Sequence, residues 1–304
     1  MRRIQLVAAT GAVALGLTLS ACGSNSLSPG AGGGGTTHAP VPTGTVDAAL
    51  AAKLPAKIKS AGKIVVGIDP TYAPNEMMAA DGKTVTGWDP ALFNVVAAKF
   101  GVKAEYSPSK FDAIILGVDS GKYDVGVSSF SITKDRMAKV DMVSYYKAGT
   151  QWVTKPGNPA KVSIDDPCGK NIGVQTGTTQ LDDITARSKK CVAAGKPAVN
   201  ILPHDGQDEV TADVVSGKVD AMLADSPIGL YAVKQFAGKL EKLGDIYDSA
   251  PYGYVLPKSE NDFGNALVDA LKAAEADGSY KAVLTEWGVE SGAISDFALN
   301  PSVS

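Results

Sequence analysis

The sequence has little histidine and cysteine, and no run of basic residues. Its only histidines are His38 and His204, and neither has a second candidate ligand at useful spacing. We therefore expect no metal site and no cofactor. The same scarcity leaves no Ser/His/Asp or Cys/His set that would indicate nucleophilic catalysis. Lysine and arginine are scattered along the chain, which argues against nucleic acid as a partner.

Apolar residues, by contrast, are plentiful. They make up 44% of the 304 residues, enough to bury a core in one large domain or two small ones. Charged residues account for 20% and the formal net charge is −3, an ordinary balance for a globular protein. Beyond the N-terminal region, we find no apolar run that would span a membrane.

The N-terminus has the composition of an export signal. A pair of arginines precedes an almost wholly apolar stretch over residues 4–19, and small residues come directly before Cys22. This end resembles the lipobox of bacterial lipoproteins, whose cysteine receives a diacylglyceryl group and becomes the mature N-terminus. We expect a signal peptide over residues 1–21 and a lipidated Cys22. An ordinary signal followed by a chance cysteine is the alternative.

Residues 23–45 are rich in Gly, Pro and Thr, a composition that behaves as a flexible tether. We assign residues 22–62 to the lipidated cysteine, this tether and a short N-terminal helix. The protein would then lie outside the cytoplasm, anchored to the cell membrane. Because exported proteins meet an oxidising environment, Cys168 and Cys191 are expected to form a disulfide. Two free buried thiols are the alternative.

The rest of the chain alternates between strand and helix patterns. Residues 64–68 form a short apolar run that predicts a buried strand. Asp89 and Pro90 predict a helix start, with Asp89 as the N-cap. A helix over about residues 111–119 then leads to a strand over residues 123–127. Strand, helix and strand at this spacing indicate parallel α/β architecture.

Two parts of this pattern are repeated. Residues 120–125 resemble residues 216–221, and each segment follows a predicted helix and opens a predicted strand. A looser likeness joins residues 63–70 to residues 170–177. Two related lobes would explain the repeat. Their strand ends would meet at a cleft, where ligands of open α/β sheets bind.

Hydroxyl and charged residues follow the first of these strand ends. Ser128, Ser129 and Ser131 lead to Thr133, which is a good N-cap. Arg136 then falls in the first turn of a helix, where the helix dipole disfavours a cation. An anionic ligand would explain this arginine. The alternative is a capped surface helix with a solvated Arg136.

Two other strand ends carry complementary chemistry. Gly177 permits close backbone approach, and the hydroxyl and N–H groups of Thr178 and Thr179 suit an anion; an ordinary N-cap is the alternative. Asp225 offers a carboxylate, either as an N-cap or as the partner of a cation in the cleft. Since arginine binds carboxylates with two parallel hydrogen bonds, these groups together suit a zwitterion.

These motifs resemble those of the family 3 bacterial solute-binding proteins, the polar amino-acid receptors of ABC importers. The likeness covers about residues 58–287 and is nearest to the lysine/arginine/ornithine and histidine receptors. It is carried by residues 67–74, 120–124, 128–136, 173–180 and 220–225.

The resemblance implies an α/β, two-lobe, periplasmic-binding-protein-like fold of type II. Each lobe would be a mainly parallel sheet flanked by helices, and two crossover strands would form the hinge. Lobe one would comprise residues 63–149 and 251–304, and lobe two residues 150–250. The protein would act as a monomer that captures a free polar α-amino acid and delivers it to an ABC permease. Asp69 and the acidic charge favour a cationic ligand.

The resemblance also implies how the ligand backbone is held. Arg136 would bind the carboxylate, helped by the backbone N–H groups of Ser131 and Thr179. Asp225 would bind the α-ammonium group together with Ser129 and Ser131.

For the ligand side chain, the resemblance implies that Tyr72 and Phe111 enclose it and that Asp69 lies near its far end. Two positions depart from the family pattern: Asn75 replaces a usual aromatic residue, and Ala91 replaces a usual acid. The expected ligand-binding residues are Asp69, Tyr72, Phe111, Ser128, Ser129, Ser131, Arg136, Gly177, Thr178, Thr179 and Asp225.

Two other classes of function stay open. An enzyme of the cyclohexadienyl-dehydratase type on the same fold would need a general acid or base in the cleft. Asp69, Glu76 and Asp225 are the nearby candidates. A ligand-sensing ectodomain would need a downstream signalling domain, and the lipobox also argues against it.

The lipid anchor can be tested directly. Cys22→Ser should release the protein from the membrane or trap its precursor, because the thiol that would carry the lipid is gone. Membrane fractionation combined with intact-mass measurement checks this outcome. Normal membrane retention of the variant would contradict the prediction.

Overall fold

The computed structural model describes residues 46–258 and 260–303. The predicted signal peptide, Cys22 and the predicted tether lie outside these residues. Within them, no helix is long and apolar enough to cross a membrane.

Strands and helices alternate through the described chain. The strands are β1 Lys63–Ile68, β2 Thr71–Tyr72, β3 Glu76–Met78, β4 Val85–Thr86, β5 Lys103–Pro108, β6 Val125–Gly126, β7 Asp141–Thr154, β8 Asn171–Gln175, β9 Asn200–His204, β10 Ala221–Asp225 and β11 Glu241–Leu256. The helices are α1 Ala48–Ala51, α2 Ala56–Ala61, α3 Trp88–Lys99, α4 Phe111–Asp119, α5 Lys134–Met137, α6 Thr179–Ala193, α7 Gln207–Ser216, α8 Ser226–Gln235, α9 Asn261–Ala276 and α10 Ser279–Trp287, followed by a 3₁₀ helix, Glu290–Gly292.

The main sheet has the strand order β5-β1-β6-β11-β7-β10-β8-β9. On one side of the sheet, β1 pairs in parallel with β5 and β6; on the other side, β8 pairs in parallel with β9 and β10. We call the half that contains β1, β5 and β6 lobe one, and the half that contains β8, β9 and β10 lobe two. This arrangement confirms the predicted α/β fold of two mainly parallel halves.

Two long antiparallel strands, β7 and β11, run through both lobes. At one end Asp141 lies opposite Leu256, and at the other end Thr154 lies opposite Glu241. The register of the pair shifts between Leu243 and Ala250, near the predicted crossover. Since an irregular register loosens a ladder locally, this is the segment where the two lobes would rotate.

Each lobe buries its own apolar cluster. In lobe one, the apolar faces of α3, α9 and α10 pack on the sheet around Trp88, Phe93 and Leu267. In lobe two, a second cluster surrounds Trp152 and Ile184. Each lobe therefore has a hydrophobic core of its own.

One predicted helix start is wrong. Helix α3 begins at Trp88 after Gly87, which has φ 133°, so Asp89 lies inside the helix and does not cap it. Its carboxylate instead accepts hydrogen bonds from the backbone N–H of Ser129 at 3.0 Å and the hydroxyl of Tyr145 at 2.7 Å. Buried donors from distant parts of the chain therefore outweigh local capping here.

The structure joins Cys168 and Cys191 in a disulfide, with their Cα atoms 5.5 Å apart. The bond ties the segment before β8 to the end of α6. Replacing both cysteines with serine should lower the free energy of unfolding by about 3 kcal/mol, because the unfolded chain gains loop entropy. Chemical denaturation measures this change. Unfolding curves that superimpose on those of the oxidised wild type would contradict it.

Candidate functional site

Asp225 ends β10 at the face of lobe two that meets lobe one. It occupies the N-cap position of α8, yet its side chain makes no capping hydrogen bond. The carboxylate accepts instead from the hydroxyl of Tyr72 in lobe one, at 3.0 Å, and from the amide of Gln180, at 2.8 Å. Burial raises the pKa of Asp225, and these hydrogen bonds together with the nearby charge of Arg136 oppose the rise. The carboxylate is thus aimed at the cleft.

Arg136 approaches the cleft from lobe one. The hydroxyl of Thr133 caps α5, which confirms the predicted N-cap. The guanidinium donates to the carbonyl oxygens of Ser131, at 2.8 Å, and of Gly177 in lobe two, at 3.0 Å. Burial lowers the pKa of Arg136, and the charge of Asp225 is the largest opposing influence. Arg136 is therefore half-buried between the lobes and is held by carbonyl groups of both.

Aromatic rings support this arginine. Its guanidinium lies 5.5 Å from the ring centroids of both Phe111 and Phe130, within the range of cation–π attraction. The two rings stack with centroids 4.5 Å apart. Such a platform fixes the orientation of the guanidinium without neutralising it, which suits recognition of a carboxylate.

The turn that precedes α6 presses against lobe one. Gly177 has φ 78°, and a Cβ atom there would lie 2.8 Å from the Cβ of Asp112. Thr178 caps α6 by accepting from the backbone N–H of Leu181 at 3.2 Å. Thr179 is the first residue of the helix, so its N–H has no intrahelical acceptor. Glycine is required at this turn by both the backbone conformation and the close contact.

The predicted far end of the ligand side chain is also polar. Asp69 is buried and accepts from the backbone N–H groups of Thr71 and Phe111, both at 3.2 Å. From lobe two, the amide of Gln175 donates to it at 2.7 Å. Burial raises the pKa of Asp69 to about 6. This carboxylate therefore joins the lobes as well as facing the cleft.

Two of the predicted serines point their hydroxyls into lobe one. Ser128 donates to Glu76 at 3.0 Å and accepts from the backbone N–H of Asp69 at 3.0 Å. The hydroxyl of Ser129 lies 3.2 Å from both Glu76 and Asp89. Ser129 has φ 54°, an uncommon conformation for a residue other than glycine. These serines connect the cleft to a buried pair of acids.

Several polar residues of the cleft were missed as site residues by the sequence analysis. Gln175 and Gln180 flank the turn at Gly177, and each orients a carboxylate of the cleft. Asn75, noted only as a departure, donates to Ser129 at 2.8 Å and accepts from Trp88 at 2.6 Å. The two glutamines could have been predicted from their position at the end of β8 and the start of α6, on either side of Gly177. The sequence offered no equivalent signal for Asn75.

The cleft therefore presents a cation from lobe one and an anion from lobe two, and polar contacts join the lobes around them. Such an arrangement can bind both ends of a small zwitterion and can close upon it. A hinged two-lobe receptor for a small solute is the class of protein that this fold and cleft define.

The chain belongs to the bacterial extracellular solute-binding proteins, family 3, whose sequence pattern matches residues 64–290. This match confirms the family predicted from the sequence. The family's description as extracellular agrees with the predicted export.

Named relatives are also binding proteins. The chain is 30% identical to the arginine-binding protein ArgT of Corynebacterium glutamicum, over 97% of this chain and 95% of the relative. An ancestral arginine-binding protein solved with arginine is 32% identical, with a TM-score of 0.69 over 74% of this chain and 98% of the other. An ancestral amino acid-binding protein, a precursor of cyclohexadienyl dehydratase, is 29% identical, with a TM-score of 0.68 over 76% and 97%.

The tight turn at Gly177 gives a test of lobe closure. Gly177→Ala should disfavour the closed arrangement by about 1–3 kcal/mol, because the new methyl group meets Asp112. Gly121→Ala is the matched control: Gly121 has φ 76°, and a Cβ there meets nothing within 4 Å. Small-angle X-ray scattering with added amino-acid ligands reports closure. Equal closure of the two variants would contradict the conclusion that Gly177 lies at a close contact between the lobes.

Proposed function

We propose that this protein is the amino-acid receptor of an ABC importer and that it captures a cationic α-amino acid of the arginine, lysine or ornithine type. The relatives named for arginine support this class of ligand. The observation that carries the proposal is a group of buried carboxyls in lobe one that has no ion-pair partner among the described residues.

The α-carboxylate and α-ammonium groups of such a ligand would bind at opposite sides of the closed cleft. Arg136 supplies the cation, and the exposed start of α6 at Thr179 supplies an N–H group. Asp225 supplies the anion, held in orientation by Tyr72 and Gln180. Because Asp225 is buried and Arg136 is half-buried, each would attract its ligand partner more strongly than it would in water.

The ligand side chain would then run along Tyr72 towards lobe one. The hydroxyl of Tyr72 reaches Asp225, while its backbone pairs directly with Glu76 in the small sheet. Residues that lie directly opposite in an antiparallel pair project from the same face. The hydroxyl of Tyr72 therefore lies at the proposed site of the ligand α-groups. Its backbone lies beside Glu76, where the ligand side chain would end.

Glu76 lies beside two further buried acids, Asp69 and Asp89. Among the described residues, no Lys, Arg or His is one of the main influences on the pKa of these carboxyls. Buried charges need a partner, and the guanidinium or ammonium group of a basic amino acid would provide one. Sequence analysis named Glu76 only as a candidate catalytic acid; we propose that it holds the ligand side chain.

We further propose that the protein acts outside the cytoplasm as a monomer held to the membrane by the lipid on Cys22. Lobe one would span residues 63–149 and 251–304, and lobe two residues 150–250. The closed form would then be the one presented to the permease.

Isothermal titration calorimetry with arginine, lysine and ornithine tests the proposal. Arg136→Ala and Asp225→Asn should each weaken binding of all three by about 2–5 kcal/mol, or about 30- to several-thousand-fold, because one ligand charge loses its partner. Lys134→Ala, which removes an exposed cation from the same short helix, should bind like the wild type.

Thermal unfolding should show that all of these variants fold. Binding by Arg136→Ala within a few-fold of the wild type would contradict the clamp. Chemical conversion of the ligand during titration would instead favour the dehydratase-like alternative.

A further inference from the structure

A serine hydroxyl lies between two buried carboxyl groups in lobe one. The Oγ atom of Ser129 is 3.2 Å from Oε2 of Glu76 and 3.2 Å from Oδ2 of Asp89. The amide Nδ2 of Asn75 approaches the same oxygen at 2.8 Å. Both carboxyl groups are fully buried. The hydrogen atoms in this small network can be counted.

An amide nitrogen only donates, so Asn75 uses one acceptor site of the Ser129 hydroxyl. That hydroxyl has a single hydrogen and can donate it to only one of the two carboxyl groups. The other contact requires a hydrogen on the carboxyl oxygen itself. The geometry therefore calls for one proton on the Glu76–Asp89 pair.

The neighbours of each oxygen show where this proton belongs. Oδ2 of Asp89 already accepts from the backbone N–H of Ser129 at 3.0 Å and from Tyr145 at 2.7 Å. The Glu76 carboxyl group has fewer donors: its Oε1 accepts from Ser128, its Oε2 contacts the Ser129 hydroxyl, and the group also hydrogen-bonds Asp89. Glu76 is thus the protonated member: it donates to Ser129, and Ser129 donates to Asp89.

Burial is the main influence on the pKa of both Glu76 and Asp89, and it raises both. Among the described residues, no basic side chain is one of the main influences on either pKa. The titratable groups that face the pair from the neighbouring strands are Asp69, Tyr72, Tyr106, Tyr145 and Tyr254. Burial also raises the pKa of these tyrosines, so they stay neutral.

We propose that capture of a cationic side chain expels the proton of Glu76. The O–H bond of the carboxyl group breaks, the proton passes to solvent, and the resulting carboxylate pairs with the guanidinium or ammonium group of the ligand. This inference rests on the proposed function, because it needs a cationic ligand at Glu76. A neutral ligand of the same shape, such as citrulline in place of arginine, leaves the proton where it is.

Proton release makes affinity depend on pH. Where Glu76 is protonated in the empty protein, arginine binding must remove the proton, so its affinity rises about tenfold per pH unit. Once the empty site is already ionised, affinity becomes independent of pH. Citrulline binding should stay flat over the same range. Discrimination between the two ligands therefore increases with pH.

The test is calorimetric titration of L-arginine and L-citrulline in buffers that differ in their enthalpy of ionisation, between about pH 5 and about pH 8. The dependence of the measured heat on the buffer gives the number of protons released. We expect a release that approaches about one proton for arginine in the acidic part of the range, and no release for citrulline.

Glu76→Gln provides the sharpest variant, because its amide can donate to Ser129 as the protonated acid does. It should release no proton and lose its preference for arginine over citrulline, while citrulline binding persists. Asp69→Asn removes the other acid that faces the ligand. This variant should still release a proton when it binds arginine. Glu105→Gln changes an exposed acid of the same lobe and should behave like the wild type.

The outcomes separate the two proposals. Arginine binding without proton release, or release that persists in Glu76→Gln, overturns the inference while the proposed function stands. Release that disappears in Asp69→Asn and persists in Glu76→Gln assigns the proton to Asp69 and also overturns it. Failure of the wild type to bind any cationic amino acid overturns the proposed function, and the inference with it.

Discussion

The hydrogen bond from Tyr72 in lobe one to the buried carboxylate of Asp225 in lobe two is the contact on which the cleft depends. A buried charge is tolerated only when it is paired or hydrogen-bonded, and Asp225 obtains one of its donors from the opposite lobe. Arg136 has the same requirement and reaches across to a carbonyl of lobe two. Closing the lobes on a zwitterion would satisfy both charges at once and would couple binding to rotation about β7 and β11.

At the end of the cleft proposed for the ligand side chain, the buried charged groups are all acids, and the cation that pairs with them is proposed to come from the ligand. Around Glu76, Asp69 and Asp89, lobe one supplies hydroxyl and amide donors, and no described basic residue forms an ion pair with these acids. Asn75 is central here, since its amide occupies an acceptor site of Ser129 where the family usually has an aromatic residue. The proposed proton on Glu76 would complete the hydrogen bonds among Ser129, Glu76 and Asp89.

The sequence predicted the parts of this molecule that local pattern determines. Alternating strands and helices, the cap at Thr133 and the strand-end position of Asp225 all depend on neighbours in the chain, and the structure bears them out. The error at Asp89, and the absence from the sequence analysis of the proposed ligand contact at Glu76, have another origin. Their environments are set by Ser129 and Tyr145, which approach from distant segments. Hydrophobic periodicity does not reveal such contacts.

The most direct test of the account is a crystal structure of the protein with bound L-arginine. The account predicts the ligand carboxylate on the guanidinium of Arg136, the α-ammonium group within hydrogen-bonding distance of Asp225, and the ligand guanidinium against Glu76. A ligand in the reverse orientation, or one whose α-ammonium group lies away from Asp225 in the closed cleft, would contradict it.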